Sequence, residues 1–175
     1  MTTRIHFNWL PLLLVAGSLA ALAWSAFGTP LQWIIYNGSD SVPMGWYRIT
    51  LTGSPAVGNI VLTRLPPAAA TLAAQRSYLP THIPLLKTVF AIAPQRVCIR
   101  GKHVLVDDQV VAELLAHDQL GRPLPAWQGC RPLAGDELFL LSVDNPESFD
   151  SRYFGPISAA TVIGRVQPLW LETRP

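Results

Sequence analysis

The N-terminal part of the chain contains a long segment without charged residues. From Ile5 through Ser39 there is no Asp, Glu, Lys or Arg, and residues 10–27 are almost continuously apolar. A helix needs about 17 to 25 apolar residues to cross a bilayer. The segment therefore predicts a transmembrane helix, which divides the chain into an anchor region at residues 1–30 and a second domain at residues 31–175.

The charges that flank this segment favour one orientation. Arg4 precedes it, so the positive-inside rule places the N-terminus in the cytoplasm and the second domain across the membrane. The alternative is a cleaved signal peptide with a small-residue site at residues 21–23. However, the apolar stretch is longer than the about 7 to 15 residues usual in signal peptides. A retained anchor in contact with membrane lipid is therefore favoured.

The overall composition supports membrane contact and argues against a nucleic-acid partner. Hydrophobic residues make up 50% of the chain and charged residues only 14%. The net charge is +2, and the basic residues are scattered rather than gathered in one run.

The second domain has the pattern of short antiparallel strands separated by turns rich in Gly, Pro and Asp. No internal repeat or long amphipathic helix interrupts this pattern, so the predicted fold class is mainly β. Residues 33–36 are predicted as a strand or as an interfacial segment, residues 66–75 as a short helix or a surface loop, and residues 118–130 as a loop. The other predicted strands are 45–51, 57–63, 85–93, 97–100, 102–106, 109–114, 137–142 and 160–166.

Lys87 is a single charge in the middle of an apolar segment. Burial disfavours the charged form of an amine and lowers its pKa, and a neutral amine can act as a base. The alternative is a lysine whose amine reaches solvent at the edge of a strand.

Ser41 lies in a turn-like segment, residues 37–47, directly after the uncharged run. Pro43 fixes its own φ and restricts the residue before it, which stiffens the backbone beside the Ser41 hydroxyl. A hydroxyl held in the open on a stiff turn suits a nucleophile. The alternative is a polar linker after the anchor.

The two cysteines, Cys98 and Cys130, form an even pair in a chain that is predicted to be exported. A disulfide is therefore expected, and two buried free thiols are the alternative. Neither cysteine lies in a Cys-x-x-Cys spacing, and metal-ligand residues do not cluster, so no metal site or cofactor is predicted.

Three sequence features occur in this order: Ser-x-Pro-x-Gly-x-Tyr at residues 41–47, the apolar segment with Lys87, and Ser-Phe-Asp-Ser-Arg-Tyr-Phe-Gly-Pro at residues 148–156. Together they resemble the signal peptidase I superfamily. Residues 78–87 and 121–130 are more similar to the TraF-type conjugative-transfer peptidases than to housekeeping leader peptidases. The resemblance implies a signal peptidase-like antiparallel β domain in the periplasm, attached to the bacterial inner membrane.

The resemblance also implies catalytic roles for three side chains. Ser41 would be the nucleophile and Lys87 the general base, as a Ser/Lys dyad. Ser39, two positions before the nucleophile, would form the oxyanion hole together with the Ser41 backbone amide.

Three further residues would support this site. Ser148 matches the family serine that orients the lysine amine, and Asp150 and Arg152 match the acidic and basic residues that brace the site. For Asp150 the alternative is a simple ion-pair partner of Arg152.

The function implied is a membrane-anchored serine endopeptidase that cuts exported precursors after small residues. The TraF-type features favour conjugative pilin maturation, by hydrolysis or with cyclisation, in contact with the conjugation or type IV secretion machinery. The alternatives are a general leader peptidase and, because residues 93–96 depart from the family's turn, a non-catalytic anchored module of a secretion channel. A Ser/His/Asp hydrolase is a further alternative, using His82, His103 or His117.

Overall fold

The computed structural model describes residues 9–27, 34–51 and 53–172, without the side chains of residues 25–27. The chain divides into two compact units, Met1–Gln32 and Trp33–Pro175.

The first unit contains helix α1, at Leu10–Phe27. Pro11 lies in its first turn, where a missing N–H leaves no hydrogen bond unmade, and Leu and Ala occupy most of the other positions. Apolar side chains along the helix, such as Leu13 and Trp24, are exposed. Within the described part of the chain no helix has both the length and the apolar character needed to cross a membrane, so the predicted transmembrane helix is not confirmed.

The second unit is mainly β. Its described residues form the eleven strands β1 (Ile34–Asn37), β2 (Gly45–Thr50), β3 (Ile60–Thr63), β4 (Leu85–Ile92), β5 (Arg96–Arg100), β6 (His103–Val106), β7 (Gln109–Glu113), β8 (Cys130–Pro132), β9 (Glu137–Leu141), β10 (Ile157–Ser158) and β11 (Val162–Leu171). Helices α2 (Pro67–Gln75) and α3 (Ser151–Phe154) and a 3₁₀ turn (Ala159–Thr161) complete it. Every pairing between these strands is antiparallel, which confirms the predicted mainly antiparallel β fold.

The larger sheet has seven strands in the order β1-β2-β11-β3-β4-β9-β10. The last strand, β11, lies between β2 and β3 and pairs with the whole of β2, so it continues to Leu171 rather than ending near residue 166 as predicted. The sequence pattern ends early because Gln167 and Pro168 interrupt the apolar alternation. A register shift between Pro168 and Trp170 accommodates the proline, which cannot donate to the ladder.

The smaller sheet has four strands in the order β7-β6-β5-β8. Asp107 and Asp108 form the turn between β6 and β7 with φ values of 48° and 65°, the left-handed conformation that two-residue hairpin turns require. Cys98 on β5 lies directly opposite Cys130 on β8, and a disulfide joins them. Strand β8 was predicted as the end of a loop, because its three residues are exposed and carry no apolar pattern.

Three apolar clusters form the core, and β4 contributes to all of them. Leu86 belongs to the cluster under β2, which includes Tyr47 and Ile49. Val89 belongs to a second cluster with residues of β3 and β9. Ala91 belongs to a third, which extends into the smaller sheet. The strand that carries Lys87 is therefore fixed along its length by packing.

Candidate active site

Lys87 lies in the interior of the larger sheet. It pairs with Val61 on β3, and the next residue, Thr88, pairs with Leu141 on β9. Its side chain is buried, with only 1% of the residue exposed, so the alternative of an amine that reaches solvent at a strand edge is wrong. An amine in such a place needs hydrogen-bonding partners, since an unpaired buried polar group is costly.

The partners of the Lys87 amine are three serine hydroxyls. Its Nζ lies 2.6 Å from Ser41 Oγ and 3.2 Å from Ser142 Oγ, and it also hydrogen-bonds Ser148 Oγ. The hydroxyls of Ser41 and Ser148 are 3.1 Å apart. A charged ammonium has three donors and can donate to all three serines, whereas a neutral amine has a lone pair that can accept the Ser41 proton.

Burial lowers the pKa of Lys87 from its ordinary value of 10.5 to about 8. The nearby Asp150 carboxylate acts in the opposite direction and the Arg152 guanidinium in the same direction. The sequence predicted that apolar surroundings would lower this pKa, and desolvation is indeed the largest cause. A substantial fraction of the amine is therefore neutral in mildly alkaline solution.

Asn37 shapes the turn that holds Ser41. This buried residue at the end of β1 donates through Nδ2 to the carbonyl oxygens of Ser39, Val42 and Pro43, at 2.9, 2.9 and 3.1 Å. Its Oδ1 accepts from the Ser39 amide at 3.1 Å and from the Ser39 hydroxyl at 2.8 Å. One amide side chain thus bonds three carbonyl groups, one amide and one hydroxyl of the turn.

The turn is attached to the larger sheet by three of the residues that follow Ser41. Val42 packs in the core cluster beneath β2. The Tyr47 hydroxyl donates to the Pro43 carbonyl at 2.6 Å. At Gly45, where φ is 143°, an added Cβ would lie 2.2 Å from the backbone oxygen of Trp170. The motif Ser-x-Pro-x-Gly-x-Tyr therefore has a physical basis in this fold.

Ser39 is exposed and lines the same cleft as Ser41. Its single hydroxyl proton is donated to Asn37 Oδ1. The observed hydrogen bond directs this hydroxyl at Asn37, and the predicted oxyanion role would require it to rotate toward the cleft.

Asp150 and Arg152 form a buried ion pair behind the three serines. The two residues are 0% and 1% exposed, and Arg152 Nε and Nη2 donate to the two carboxylate oxygens at 2.8 and 2.9 Å. The carboxylate also accepts from the Ser142 amide at 3.0 Å, and the guanidinium donates to the Ser148 carbonyl at 3.1 Å. Both serines that flank the lysine amine are therefore hydrogen-bonded to this pair through their backbones. Asp150 is the ion-pair partner of Arg152, and a supporting role in catalysis stays a prediction.

Ser41 and Lys87 open into a cleft with a volume of ≈ 670 Å³. The end of α2 and the segment around Asp118 also line it. Burial alone would raise the pKa of Asp118, but hydrogen bonds from Tyr78 and Arg122 outweigh it and hold the pKa well below its usual range. Leucine side chains also line the cleft: Leu65, Leu79, Leu85, Leu115, Leu120 and Leu124. The cleft therefore offers both apolar and charged contacts to a bound peptide.

The structure brings together Ser41, Lys87, Ser148, Asp150 and Arg152 and places Ser39 on the rim of the same cleft. The functional candidates Asn37 and Ser142 were not predicted from the sequence. An asparagine before a Gly-Ser turn and a serine ending an apolar strand are weak signals, and their partners became visible only once the strand register was known.

The other predicted chemistries have less support in the site. Among the described residues, the hydrogen-bond partners of Ser41 Oγ are Lys87 and Ser148, and no histidine contacts it. His117 lines the cleft, but His103 contacts Glu113 on the smaller sheet. The described part of the chain contains no group of three His, Cys, Asp or Glu residues that could hold a metal ion.

Comparisons with known proteins identify a family and several relatives. Residues 6–171 match the family described as signal peptidase, peptidase S26. A probable conjugal transfer protein TraF of Sinorhizobium fredii (strain NBRC 101917 / NGR234) is 37% identical over 171 residues, covering 90% of this chain and 88% of the relative. A conjugal transfer protein TraF of Agrobacterium fabrum (strain C58 / ATCC 33970) is 32% identical over 143 residues, covering 77% and 80%.

Two further similarities are more distant. A plasmid transfer protein TraF of Escherichia coli is 28% identical over 144 residues, covering 76% of this chain and 80% of the relative. The crystal structure of a signal peptidase I from Enterococcus faecalis V583 aligns with 67% of this chain and 100% of its own, with 17% identity and a TM-score of 0.42. Because the family match extends over nearly the whole chain and the TraF relatives align over most of their length, the chain belongs to the peptidase S26 signal peptidase family and is of the TraF type.

Proposed function

We propose that the chain is a serine endopeptidase in which Ser41 is the nucleophile and Lys87 its general base. The observation that carries this proposal is the 2.6 Å distance between Lys87 Nζ and Ser41 Oγ, with the lysine buried and its pKa lowered to about 8. A nucleophilic hydroxyl needs an adjacent base within hydrogen-bond reach, and a base is most effective when its pKa lies near the working pH.

In the acylation step, Lys87 takes the proton of the Ser41 hydroxyl while the oxygen attacks the carbonyl carbon of the scissile peptide bond. The tetrahedral intermediate collapses, the C–N bond breaks, and the proton on Lys87 passes to the departing amine. The resulting ester on Ser41 is then resolved either by water, which gives hydrolysis, or by an amine, which gives a new peptide bond.

For the oxyanion we propose the Ser41 backbone amide and the Ser39 hydroxyl. Ser39 lies on the cleft rim within the nucleophile turn, and its hydroxyl is free to rotate away from Asn37 when substrate binds. Loss of one such donor typically costs about 2.7 to 4 kcal/mol in the transition state. Ser39→Ala should therefore lower kcat about 10²- to 10³-fold, and an unchanged kcat would remove Ser39 from this role.

We propose that the substrate is an exported precursor processed for conjugation, in the first place a pilin. The relatives named conjugal transfer protein support this pathway, and the leucines that line part of the cleft suit an apolar segment of the precursor. Mass spectrometry of the processed pilin from cells that carry the gene would distinguish a linear from a cyclic product. Cleavage of many unrelated preproteins by the purified protein would instead favour a general leader peptidase.

We further propose that the protein works at the inner membrane, with Trp33–Pro175 on the periplasmic side. Helix α1 exposes apolar side chains along its length. In the second unit, Tyr36, Trp46 and Trp170 lie side by side across β1, β2 and β11 and are exposed, and Tyr and Trp are enriched where a protein meets a membrane interface. Recovery of the protein in the aqueous fraction after cell lysis would contradict the membrane location. Protease added to spheroplasts should digest the second unit, and digestion only after the inner membrane is permeabilised would contradict the periplasmic side.

The experiment that tests the catalytic proposal compares the native protein with Ser41→Ala and Lys87→Ala. Both variants should lose precursor processing while circular dichroism shows that they remain folded. For the native protein, kcat/KM should rise with pH through about 8 as Lys87 loses its proton. Processing that survives both substitutions in folded protein would favour a non-catalytic module of the secretion channel.

A further inference from the structure

Ser142 contacts the nucleophile, the base and the buried ion pair, although it belongs to neither half of the dyad. We infer that Ser142 is a positioning residue: its hydroxyl, held on the Ser41 carbonyl, fixes the rotation of the Lys87 amine so that the lone pair faces the Ser41 hydroxyl. This inference rests on the proposed peptidase function.

The strand register explains why Ser142 reaches the base. Strand β9 ends at Leu141, which pairs with Thr88, and the next antiparallel step places Ser142 opposite Lys87. Ser142 is buried, and its backbone amide donates to Asp150 Oδ2 at 3.0 Å. Its backbone is therefore fixed by the pairing of Leu141 and by this hydrogen bond.

The hydrogen bonds of the Ser142 hydroxyl define the direction of its proton. Its Oγ donates to the carbonyl oxygen of Ser41 at 2.5 Å. A hydroxyl has one proton, so toward Lys87 Nζ, 3.2 Å away, Ser142 can only accept. Ser148 differs, because its hydroxyl lies within hydrogen-bond distance of both Lys87 Nζ and Ser41 Oγ and can donate or accept.

This difference orients the neutral amine. A neutral amine has two N–H groups and one lone pair. Ser142 binds one N–H, and when Ser148 accepts the other, the lone pair is left for Ser41 Oγ at 2.6 Å. Without the Ser142 hydroxyl the amine can rotate its lone pair away from the nucleophile, and the Ser41 carbonyl loses a donor.

Within the described part of the chain, the charged groups that act on the pKa of the Lys87 amine are Asp150 and Arg152, at the start of α3. Removing the Ser142 hydroxyl leaves both charges in place. A change in the titration of Lys87 in a Ser142 variant would therefore report the loss of the hydroxyl as an acceptor, which stabilises the ammonium more than the neutral amine.

The test compares Ser142→Ala with the native protein and with Ser151→Ala as a matched control. Ser151 is also buried beside β9, and its hydroxyl accepts from the Leu140 amide at 3.0 Å, away from the amine. We expect Ser142→Ala to lower the plateau of kcat/KM about 10- to 100-fold, as for the loss of a hydrogen bond to a charged group. The acidic limb of its kcat/KM–pH profile should move to lower pH by about one unit, since the ammonium has lost an acceptor.

The control and a conservative variant separate positioning from stability. Ser151→Ala should leave the acidic limb where the native protein has it, and Ser142→Thr, which keeps the hydroxyl, should restore the limb of the native enzyme. The inference is overturned if Ser142→Ala retains the native limb and plateau, or if its limb moves no further than that of Ser151→Ala. Should Ser142→Ala fail to fold, Ser142→Cys keeps the side-chain volume, offers only a weak acceptor and serves the same comparison.

A spectroscopic measurement keeps this test independent of peptidase activity. The chain has two lysines, Lys87 and Lys102, so ¹³C labelling at Cε gives two resonances, with the exposed Lys102 as internal reference. In Ser142→Ala the Lys87 resonance should titrate at lower pH than in the native protein, and an unchanged titration overturns the positioning role. If the native protein shows this titration but cleaves no precursor, it is the proposed function that fails.

Discussion

Lys87 is held by a strand that packs into all three core clusters, whereas Ser41 is held by a turn whose shape depends on hydrogen bonds from Asn37. The base is almost fully buried and its ionisation is suppressed by desolvation. The nucleophile is half-buried and opens into the cleft. Lys87 Nζ and Ser41 Oγ lie 2.6 Å apart, although one belongs to a packed strand and the other to a hydrogen-bonded turn.

This difference implies different relations between stability and activity. A buried amine with a lowered pKa destabilises the folded protein, because folding at neutral pH must either release its proton or bury its charge. The hydrogen bonds of Asn37 stabilise the fold and position the nucleophile at the same time. Substitutions at the base should therefore separate stability from activity, and substitutions in the turn should lower both.

The largest effect is expected for Lys87→Met, which replaces the amine with an apolar chain of similar length. Loss of the general base should lower kcat/KM by at least about 10²- to 10⁴-fold. The pKa of Lys87 is lower in the folded than in the unfolded state, so the unfolded state binds more protons between about pH 8 and 10.5 and native stability rises over that window. The variant should thus be more stable by up to about 3 kcal/mol below pH 8.

Urea denaturation at pH 7 and at pH 10 measures this prediction. The gain in the free energy of unfolding for Lys87→Met should be largest at pH 7. It should shrink toward zero as the pH rises and the native lysine becomes neutral in both the folded and the unfolded protein. A variant that is less stable than the native protein at pH 7 would mean that the three serine contacts compensate fully for desolvation, and the contrast between base and nucleophile would no longer hold.

The next effect concerns the ion pair that supports the base. Asp150→Ala leaves the Arg152 guanidinium buried without its carboxylate and should lower the free energy of unfolding by about 3 to 5 kcal/mol. Glu137→Ala is the matched control, because Glu137 makes a similarly close pair with the partly exposed Arg131, where an ion pair contributes about 0 to 1 kcal/mol. Thermal denaturation of both variants would measure the difference, and equal losses would show that burial is not what makes the Asp150 pair important.

Much of this arrangement could be predicted from the sequence. The apolar segment around Lys87 indicated a buried strand, and alternating short strands indicated an antiparallel fold. The resemblance of residues 148–156 to a family motif indicated which residues lie near the lysine. Local patterns of this kind are readable because they report the environment of each residue along its own strand.

Contacts set by register could not be predicted in the same way. Ser142 faces Lys87 because Leu141 pairs with Thr88, a relation between strands that lie far apart in the sequence. The role of Asn37 depends on three carbonyl groups that converge only when the turn is closed. Strand β8 and the extension of β11 were missed because tertiary pairing, rather than an apolar pattern, makes them strands.

The smallest of the three effects, and the sharpest test of the comparison, is expected at Asn37. Asn37→Ala removes the donors to three carbonyl groups and the acceptor for Ser39, and should lower the free energy of unfolding by about 1 to 3 kcal/mol. Asn37→Asp keeps the acceptor but directs a carboxylate oxygen at the same carbonyls, so it should be at least as destabilising.

Both Asn37 variants should reduce kcat, since the Ser41 hydroxyl is no longer directed at the substrate. Asn37→Ala should leave the acidic limb of the kcat/KM–pH profile in place, because Asn37 does not touch the amine and the strand that holds Lys87 is unchanged. Asn37→Asp brings a carboxylate near the amine, which favours the ammonium, and should move the limb to higher pH. A limb that moved with Asn37→Ala would mean that the turn also sets the ionisation of the base, and that nucleophile and base are one unit rather than two separately held parts.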